Sequence, residues 1–544
     1  MSTDIEKAVG GGALAADNRA DDPNDGNFGA QALESPDAST APSEYHEPLK
    51  LTQTVLSTRS AREAAKQLQN FDTSPENPRN WPLSKKWGLC LTITVTGFIS
   101  TSASSIAVPG IHQVMAEFGI HNLKIGTLIT CFYVLGLGTG PFIFAPISEL
   151  WGRQVAYLSS QFFFVIFAIG AAVAPNMAAL IVLRFFCGMM GSVGPTLGVA
   201  TCADRGLPVS IYAIGPMAGP VLGSMLGYWI LFGGWRWELW FMVIASGLNF
   251  ALLVCFSQET YAPVIQRKLG YRIQYPQPDP TSFLDRFSPK RIIHNLGWMS
   301  ATVSKSEAGD AFSKALTRPP RLLFGNPVAL ITCVYYAYLY SIIYVFLIST
   351  PLLFGPPPFK VDGLFSYQWP RGTVALGYVG SAIGFFSAAF VAATQQDRIY
   401  KYLMRRNGDN GQPEYRFVLT QIGTVLLPVG LFIFGWTAQA ETHWIGPVIG
   451  QVILSFGCML AFNSIQNFLV DAFFPFHAAA TAGASAMRSM FACVLPVYCA
   501  QMFGTLGWGW GGSLLAFIAL VAIPGPLIMF KYGRRLRERY KFEG

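Results

Sequence analysis

Residues 124–154 read KIGTLITCFYVLGLGTGPFIFAPISELWGRQ, an apolar run that ends in a short polar turn. The run from 124 to 147 has one charged residue, at its start, and about 20 apolar residues suffice to cross a bilayer as a helix. The turn contains an acid, a glycine and an arginine, which are Glu149, Gly152 and Arg153. The stretch therefore predicts a membrane-spanning helix with a tight, charged turn at one end.

The composition indicates the same class of protein. Hydrophobic residues make up 52% of the chain and charged residues 12%, whereas soluble domains carry about 25% charge. The nine cysteines lie in apolar stretches without a CxxC pair, so we expect core residues rather than disulfides or metal ligands. The net charge of +8 is unevenly spread. In a membrane protein this excess marks cytoplasmic loops, so no nucleic-acid partner is expected.

Apolar runs of spanning length recur along the chain, six before and six after a polar stretch at 257–326. The predicted spans are 87–108, 124–147, 155–175, 178–203, 207–231, 237–256, 328–350, 372–394, 417–437, 445–469, 478–502 and 511–531. The sequence thus predicts an all-α integral membrane protein in which 77–256 and 327–531 each form a six-helix bundle.

The charge distribution predicts the orientation of the chain. Residues 1–76 are polar and acidic, and we expect a disordered tail because they cannot bury enough apolar surface to fold. Lys and Arg are abundant at 257–326 and in the basic tail 532–544. The loops expected on the opposite side carry Lys124, Arg236, Lys360 and Arg371. The positive-inside rule therefore predicts that both termini and the 257–326 loop are cytoplasmic.

Charged residues at or within spans are candidates for function. Glu149 and Arg153 are four residues apart and can contact each other or a neighbouring helix end, either as a latch between bundles or as a pair that only sets topology. We expect Gly152 to supply the backbone angles of this turn. Arg184 begins the motif RFFCG (184–188), and an arginine inside a span usually faces a cavity or a partner, the alternative being snorkelling to the interface.

A glycine repeat marks the fifth span. Its glycines recur every fourth residue on one helix face, which predicts close approach of another helix, and two prolines between them are expected to bend or weaken the helix. The residues of this repeat are Gly215, Pro216, Gly219, Pro220, Gly223 and Gly227. Taken alone, the repeat is equally compatible with plain helix packing in any polytopic protein.

These motifs together resemble the major facilitator superfamily, in the branch of fungal drug:proton antiporters with twelve spans. APISELWGRQ (145–154) resembles its signature loop PLSELYGRR, with Ala145 and Gln154 as departures. RFFCG resembles its fourth-helix RxxxG motif, the Gly-Pro units resemble its antiporter motif, and WRW (235–237) and ETYAP (259–263) resemble further segments. The resemblance covers about 80–540. It implies two six-helix bundles around a central cavity, proton-driven export, and gating or coupling roles for Glu149, Gly152, Arg153, Arg184, Gly188 and Asp204.

Polar and aromatic stripes inside spans are candidates for the cavity. Each stripe could contact a substrate near the membrane midplane or simply join helices. The first stripe is Tyr336, Tyr340 and Tyr344, and the second is Asn463, Gln466 and Asn467. Arg488 could pair with an anionic substrate group or with a helix end. The first span contains no acid, so proton coupling is implied by the resemblance alone.

The sequence leaves three classes of function to compare. The favoured one is a proton-driven exporter of a small organic molecule such as a drug, toxin or secondary metabolite, with a glycolipid or organic acid as further candidates. The second is a proton-coupled importer of a nutrient such as an organic acid, polyamine or sugar. A membrane-embedded enzyme or receptor is disfavoured because HExxH and GxSxG motifs are absent from the sequence, and an ATP-driven pump is disfavoured because a P-loop motif is absent. We expect a monomer in the plasma membrane rather than the vacuole, driven by the proton gradient without a cofactor.

Overall fold

The computed structural model describes residues 71–203, 209–274, 303–357, 363–370, 372–473 and 476–540. These residues belong to the compact unit Leu51–Gly544. Their regular secondary structure is entirely helical, which confirms the predicted all-α class.

The first half of the described chain contains nine α-helices. They are α1 (Leu83–Ser105), α2 (Ile111–Glu117), α3 (Leu123–Thr139), α4 (Pro141–Leu150), α5 (Arg153–Ala172), α6 (Met177–Gly191), α7 (Val193–Ala203), α8 (Val209–Ile230) and α9 (Trp235–Phe256). The predicted second span is therefore two helices, because Pro141 has no N–H to continue the hydrogen-bond ladder of α3. The predicted fourth span likewise consists of α6 and α7.

The remaining helices lie in the polar stretch and in the second half. They are α10 (Ala262–Gln274), α11 (Lys305–Gly325), α12 (Pro327–Phe354), α13 (Val379–Arg406), α14 (Phe417–Gln439), α15 (Ile445–Ala472), α16 (His477–Ala522) and α17 (Pro524–Arg539). The first two of these place helices inside the predicted loop 257–326. The last extends helical structure into the predicted basic tail, to Arg539.

Nine helical segments of the described residues are long and apolar enough to cross a membrane. The last of them, His477–Arg539, contains a kink at Gly507, where φ is 74°. This kink lies between the predicted spans 478–502 and 511–531. Helices α1 and α8 coincide with the predicted first and fifth spans but are not among the nine. The count of twelve spans stays a prediction.

Asparagine side chains begin several of these helices. Asn122, Asn176 and Asn326 each accept a hydrogen bond from a backbone N–H in the first turn of α3, α6 and α12. Such caps satisfy N–H groups that have no partner within the helix. They fix the helix starts at sites where the apolar pattern alone leaves the boundary open.

Helix packing joins neighbours within each half and also connects the halves. In the first half, α1 packs along α8, and α3 along α6. In the second half, α14 packs along α15, and α12 along α16. Between the halves, α3 contacts α16 and α8 contacts α13. The two halves are therefore in direct contact along these helices.

Candidate functional site

The charged turn between α4 and α5 is organised by Glu259. Gly152 has φ of 99°, which confirms that this turn needs glycine, and a Cβ there would collide with the Glu259 carboxylate. That carboxylate accepts hydrogen bonds from the backbone N–H groups of Arg153 at 2.9 Å and Gln154 at 3.2 Å. Glu259 therefore caps the first turn of α5, where a negative charge is favourable.

Arg153 forms no ion pair with Glu149 in the described structure. Its guanidinium donates to the Ser148 hydroxyl at 2.9 Å and lies 5.1 Å from the centre of the Tyr261 ring. Glu149 is exposed, whereas Glu259, which contacts this turn, lies more than one hundred residues further along the chain. Asp204, the remaining acid predicted for gating, lies outside the described residues.

Arg184 is buried, with only 2% of its surface exposed. Its side chain donates hydrogen bonds to the carbonyl oxygens of Ala103 on α1, at 2.5 Å, and Ile129 on α3, at 3.4 Å. The guanidinium also lies 4.5 Å from the ring centre of Tyr133. The arginine thus faces neighbouring helices rather than the interface, which excludes the snorkelling alternative for this structure.

Gly188 lies one turn after Arg184 and touches the backbone of α3. A Cβ at Gly188 would collide with the carbonyl of Tyr133, and one at Gly136 would collide with the carbonyl of Phe185. Reciprocal glycines let α3 and α6 approach closely. This contact sets the distance across which Arg184 reaches α3.

The four glycines of the fifth span all face α1, as the sequence predicts. A Cβ at any of them would overlap backbone or side-chain atoms of Thr94, Thr101, Ser102 or Ile106. Both prolines lie inside the continuous helix α8. The Ser105 hydroxyl donates to the Pro220 carbonyl at 2.6 Å, and Pro216 packs against Gly97. The repeat therefore forms a close-packed face.

The tyrosine stripe of α12 meets Arg488 of α16. The guanidinium donates to the Tyr336 hydroxyl at 3.2 Å and lies 4.7 Å from the ring centre of Tyr340. The Tyr344 hydroxyl lies 3.4 Å from that of Tyr340 and 2.8 Å from that of Ser104 on α1. Sequence reasoning selected the stripe and the arginine separately, and the fold brings them together.

The polar stripe of α15 divides between different neighbours. Gln466 accepts a hydrogen bond from the Tyr336 hydroxyl at 3.3 Å, and Asn463 donates to the Met217 sulfur of α8 at 3.8 Å. Asn467 is exposed and donates to Gln396 of α13 at 3.1 Å. Asn467 therefore joins two helices of the second half and does not contact the tyrosine stripe of α12.

Sequence reasoning did not select two buried residues, one in each half. Phe462 of α15 stacks on Tyr336 with ring centres 4.3 Å apart. Glu238 of α9 is only 1% exposed, accepts a hydrogen bond from the Gly110 backbone and interacts electrostatically with Arg184. A sequence signal for Glu238 existed, because an acid near the start of an apolar span is rare. Phenylalanine is too common in this chain for Phe462 to be distinguished.

The chain has long apolar helices in two halves and buried charged side chains among those helices. These features define a polytopic membrane protein. Residues 93–496 match the Major Facilitator Superfamily. The efflux pump radE of Floropilus chiversii is 34% identical over 477 residues, which covers 86% of this chain and 84% of that protein. The MFS-type transporter penM of Penicillium rubens is 31% identical over 476 residues, which covers 86% of this chain and 89% of that protein.

A solved structure shows the same fold. The proton:xylose symporter XylE, bound to 6-bromo-6-deoxy-D-glucose, aligns with a TM-score of 0.55 at 14% identity, over 83% of this chain and 96% of that one. The chain belongs to the Major Facilitator Superfamily, as its motifs indicate. It is therefore a multi-pass membrane transporter rather than an enzyme.

Proposed function

We propose that this transporter exports a small organic molecule, such as a drug, toxin or secondary metabolite, in exchange for protons. The relative radE is named an efflux pump, which supports the direction. The Gly-Pro repeat of α8 supports it too, because this repeat resembles the antiporter motif. The protein acts as a monomer in the plasma membrane, uses the proton gradient and needs no cofactor.

The observation that supports proton coupling is the presence of an acid, Glu238, and an arginine, Arg184, inside the helices of the first half. Both are almost completely buried, and the Oε1 atom of Glu238 has no hydrogen-bond partner among the described residues. Intramembrane carboxylates that face other helices commonly relay protons in pumps and transporters. Glu238 can exchange a proton when the halves move, and Arg184 links that event to α1 and α3.

The test is efflux from cells that express the full chain and are loaded with a panel of labelled drugs and metabolites. We expect extrusion that a protonophore abolishes, loss of that extrusion in Glu238→Gln, and its retention in Glu117→Gln, which alters an exposed acid. Protonophore-sensitive accumulation would instead identify an importer. Extrusion that is insensitive to the protonophore would contradict proton coupling.

A further inference from the structure

Arg488 is a cation inside the helix bundle that has no anionic partner among the described residues. Its interactions within the described part of the chain are with tyrosine and phenylalanine side chains, and no described Asp or Glu forms an ion pair with it. Its Nε atom is buried and has no hydrogen-bond partner there. A buried N–H without an acceptor is costly, and more so on a charged group.

Two other arginines with little exposed surface, Arg184 and Arg416, have oxygen partners. Arg184 donates to two backbone carbonyls. Arg416 contacts Asp397 at 2.7 Å and Asp471 at 2.9 Å. Arg488 has neither kind of partner among the described residues, and its Nε edge is left available to an acceptor.

The surroundings of Arg488 are flat and aromatic. Its guanidinium carbon lies 4.7 Å from the ring centre of Tyr340 and 5.7 Å from the ring centres of Tyr336 and Phe462. The Tyr336 and Phe462 rings are stacked on each other. Aromatic faces provide apolar contact area for a planar ligand, and tyrosine hydroxyls add hydrogen bonds.

The cluster also lies where both halves of the transporter meet. Tyr344 forms a hydrogen bond with Ser104 of α1. Asn463 is next to Phe462 in sequence and donates a hydrogen bond to Met217 of α8. Substrate sites of secondary transporters lie at the interface between such halves. A ligand bound to Arg488 would therefore touch elements that move relative to one another during transport.

We propose that Arg488 binds the carboxylate of a planar aromatic substrate, so that the protein carries aromatic organic acids. The guanidinium fork fits a carboxylate with two parallel N–H···O bonds, and the free Nε supplies one of them. The rings of Tyr336, Tyr340 and Phe462 contact the aromatic part. The proposal rests on the proposed function only in taking the protein to be a carrier of small organic molecules.

The test measures binding to the purified full-length protein with three probes of equal size and different charge: naphthoate, naphthamide and naphthylmethylamine. We expect naphthoate to bind at least about tenfold more tightly than the amide, because a charge-assisted pair is stronger than a neutral one. The cationic amine should bind most weakly. This comparison needs no variant, so it does not depend on whether an altered protein folds.

Variants then assign the selectivity to Arg488. Arg488→Gln should remove the difference between acid and amide, and Arg488→Lys should keep part of it, since lysine retains charge but not the fork. Arg405→Gln, at an exposed site, should change neither affinity. Equal or tighter binding of the amide or amine by the unaltered protein, no saturable naphthoate binding, or full selectivity in folded Arg488→Gln would each overturn the proposal.

The binding measurement reports neither the direction of transport nor its energy source. A protein that binds naphthoate selectively but extrudes nothing would therefore contradict export and leave the anion site standing. A protein that extrudes neutral compounds but does not prefer naphthoate would contradict the anion site and leave export standing.

Discussion

The hydroxyl groups of Ser104 and Tyr344 lie 2.8 Å apart and join the first long helix of one half to the first long helix of the other. Both side chains are buried. Interhelical hydrogen bonds in membranes contribute about 0.6 kcal/mol on average, up to about 1.7 kcal/mol. This bond therefore stabilises the arrangement described here without locking it, as a transporter that changes conformation requires.

Ser104→Ala and Tyr344→Phe should each lower stability, and the double variant should lose less than the sum. We expect a coupling free energy of about 0.6 kcal/mol, because each single change leaves one hydroxyl without its partner. Unfolding of the purified protein in a double-mutant cycle measures it. Strictly additive losses would show that the bond is absent in the native ensemble.

Gly219→Ala should destabilise the protein and slow transport. The new methyl group collides with the Thr101 side chain and the Ser102 backbone, and overpacking of this kind costs about 1–3 kcal/mol. Gly247→Ala is the matched control, because a Cβ there meets nothing within 4 Å. Thermal unfolding and efflux rates of the two variants check this. Equal behaviour would show that α1 and α8 are not closely packed.

Glu259→Ala should destabilise the protein, whereas Glu149→Ala should not. Glu259 caps α5 through the N–H groups of Arg153 and Gln154, and losing a cap costs about 0.5–2 kcal/mol. Glu149 is exposed, and surface changes stay within about 0.5 kcal/mol. Unfolding free energies decide between the two acids. A larger loss in Glu149→Ala would restore the pairing of Glu149 with Arg153 that the sequence suggested.

The loop helix α2 carries an ion pair that should respond to acid. Arg236 and Trp235 donate hydrogen bonds to Glu117 and hold the pKa of its carboxyl below the ordinary value of 4.5. The contribution to stability is therefore complete above that value and lost as the pH falls through the lowered pKa. Glu117→Gln should lower the Tm slightly at pH 7, and this difference should shrink as the pH falls below 4.5.

The control for this pH dependence is Glu149→Gln, which removes an exposed acid that does not contact Arg236. Its Tm should follow that of the unaltered protein over the same range of pH. A Tm difference for Glu117→Gln that grows toward acid would contradict the lowered pKa of Glu117.

The sequence by itself determined the class of fold and the close-packed face of α8. Both follow from local patterns, since spanning length depends on consecutive apolar residues and the glycine face on a repeat of four residues along one helix. The family could also be identified from short motifs. The turn at Gly152 is an example, because its backbone angles favour glycine. The exact helix boundaries were less predictable. A proline divides one apolar run into two helices, and asparagine caps begin other helices just before the apolar runs.

Only the tertiary structure decided which distant residues meet. Glu259 lies 106 residues from Arg153 in sequence, and Tyr336 lies 152 residues from Arg488. Glu238 and Arg184 come from different helices whose relative rotation no single segment encodes. Helical periodicity assigns a side chain to a face of its own helix. The neighbour of that face depends on how helices of both halves pack, and packing is a property of the whole chain.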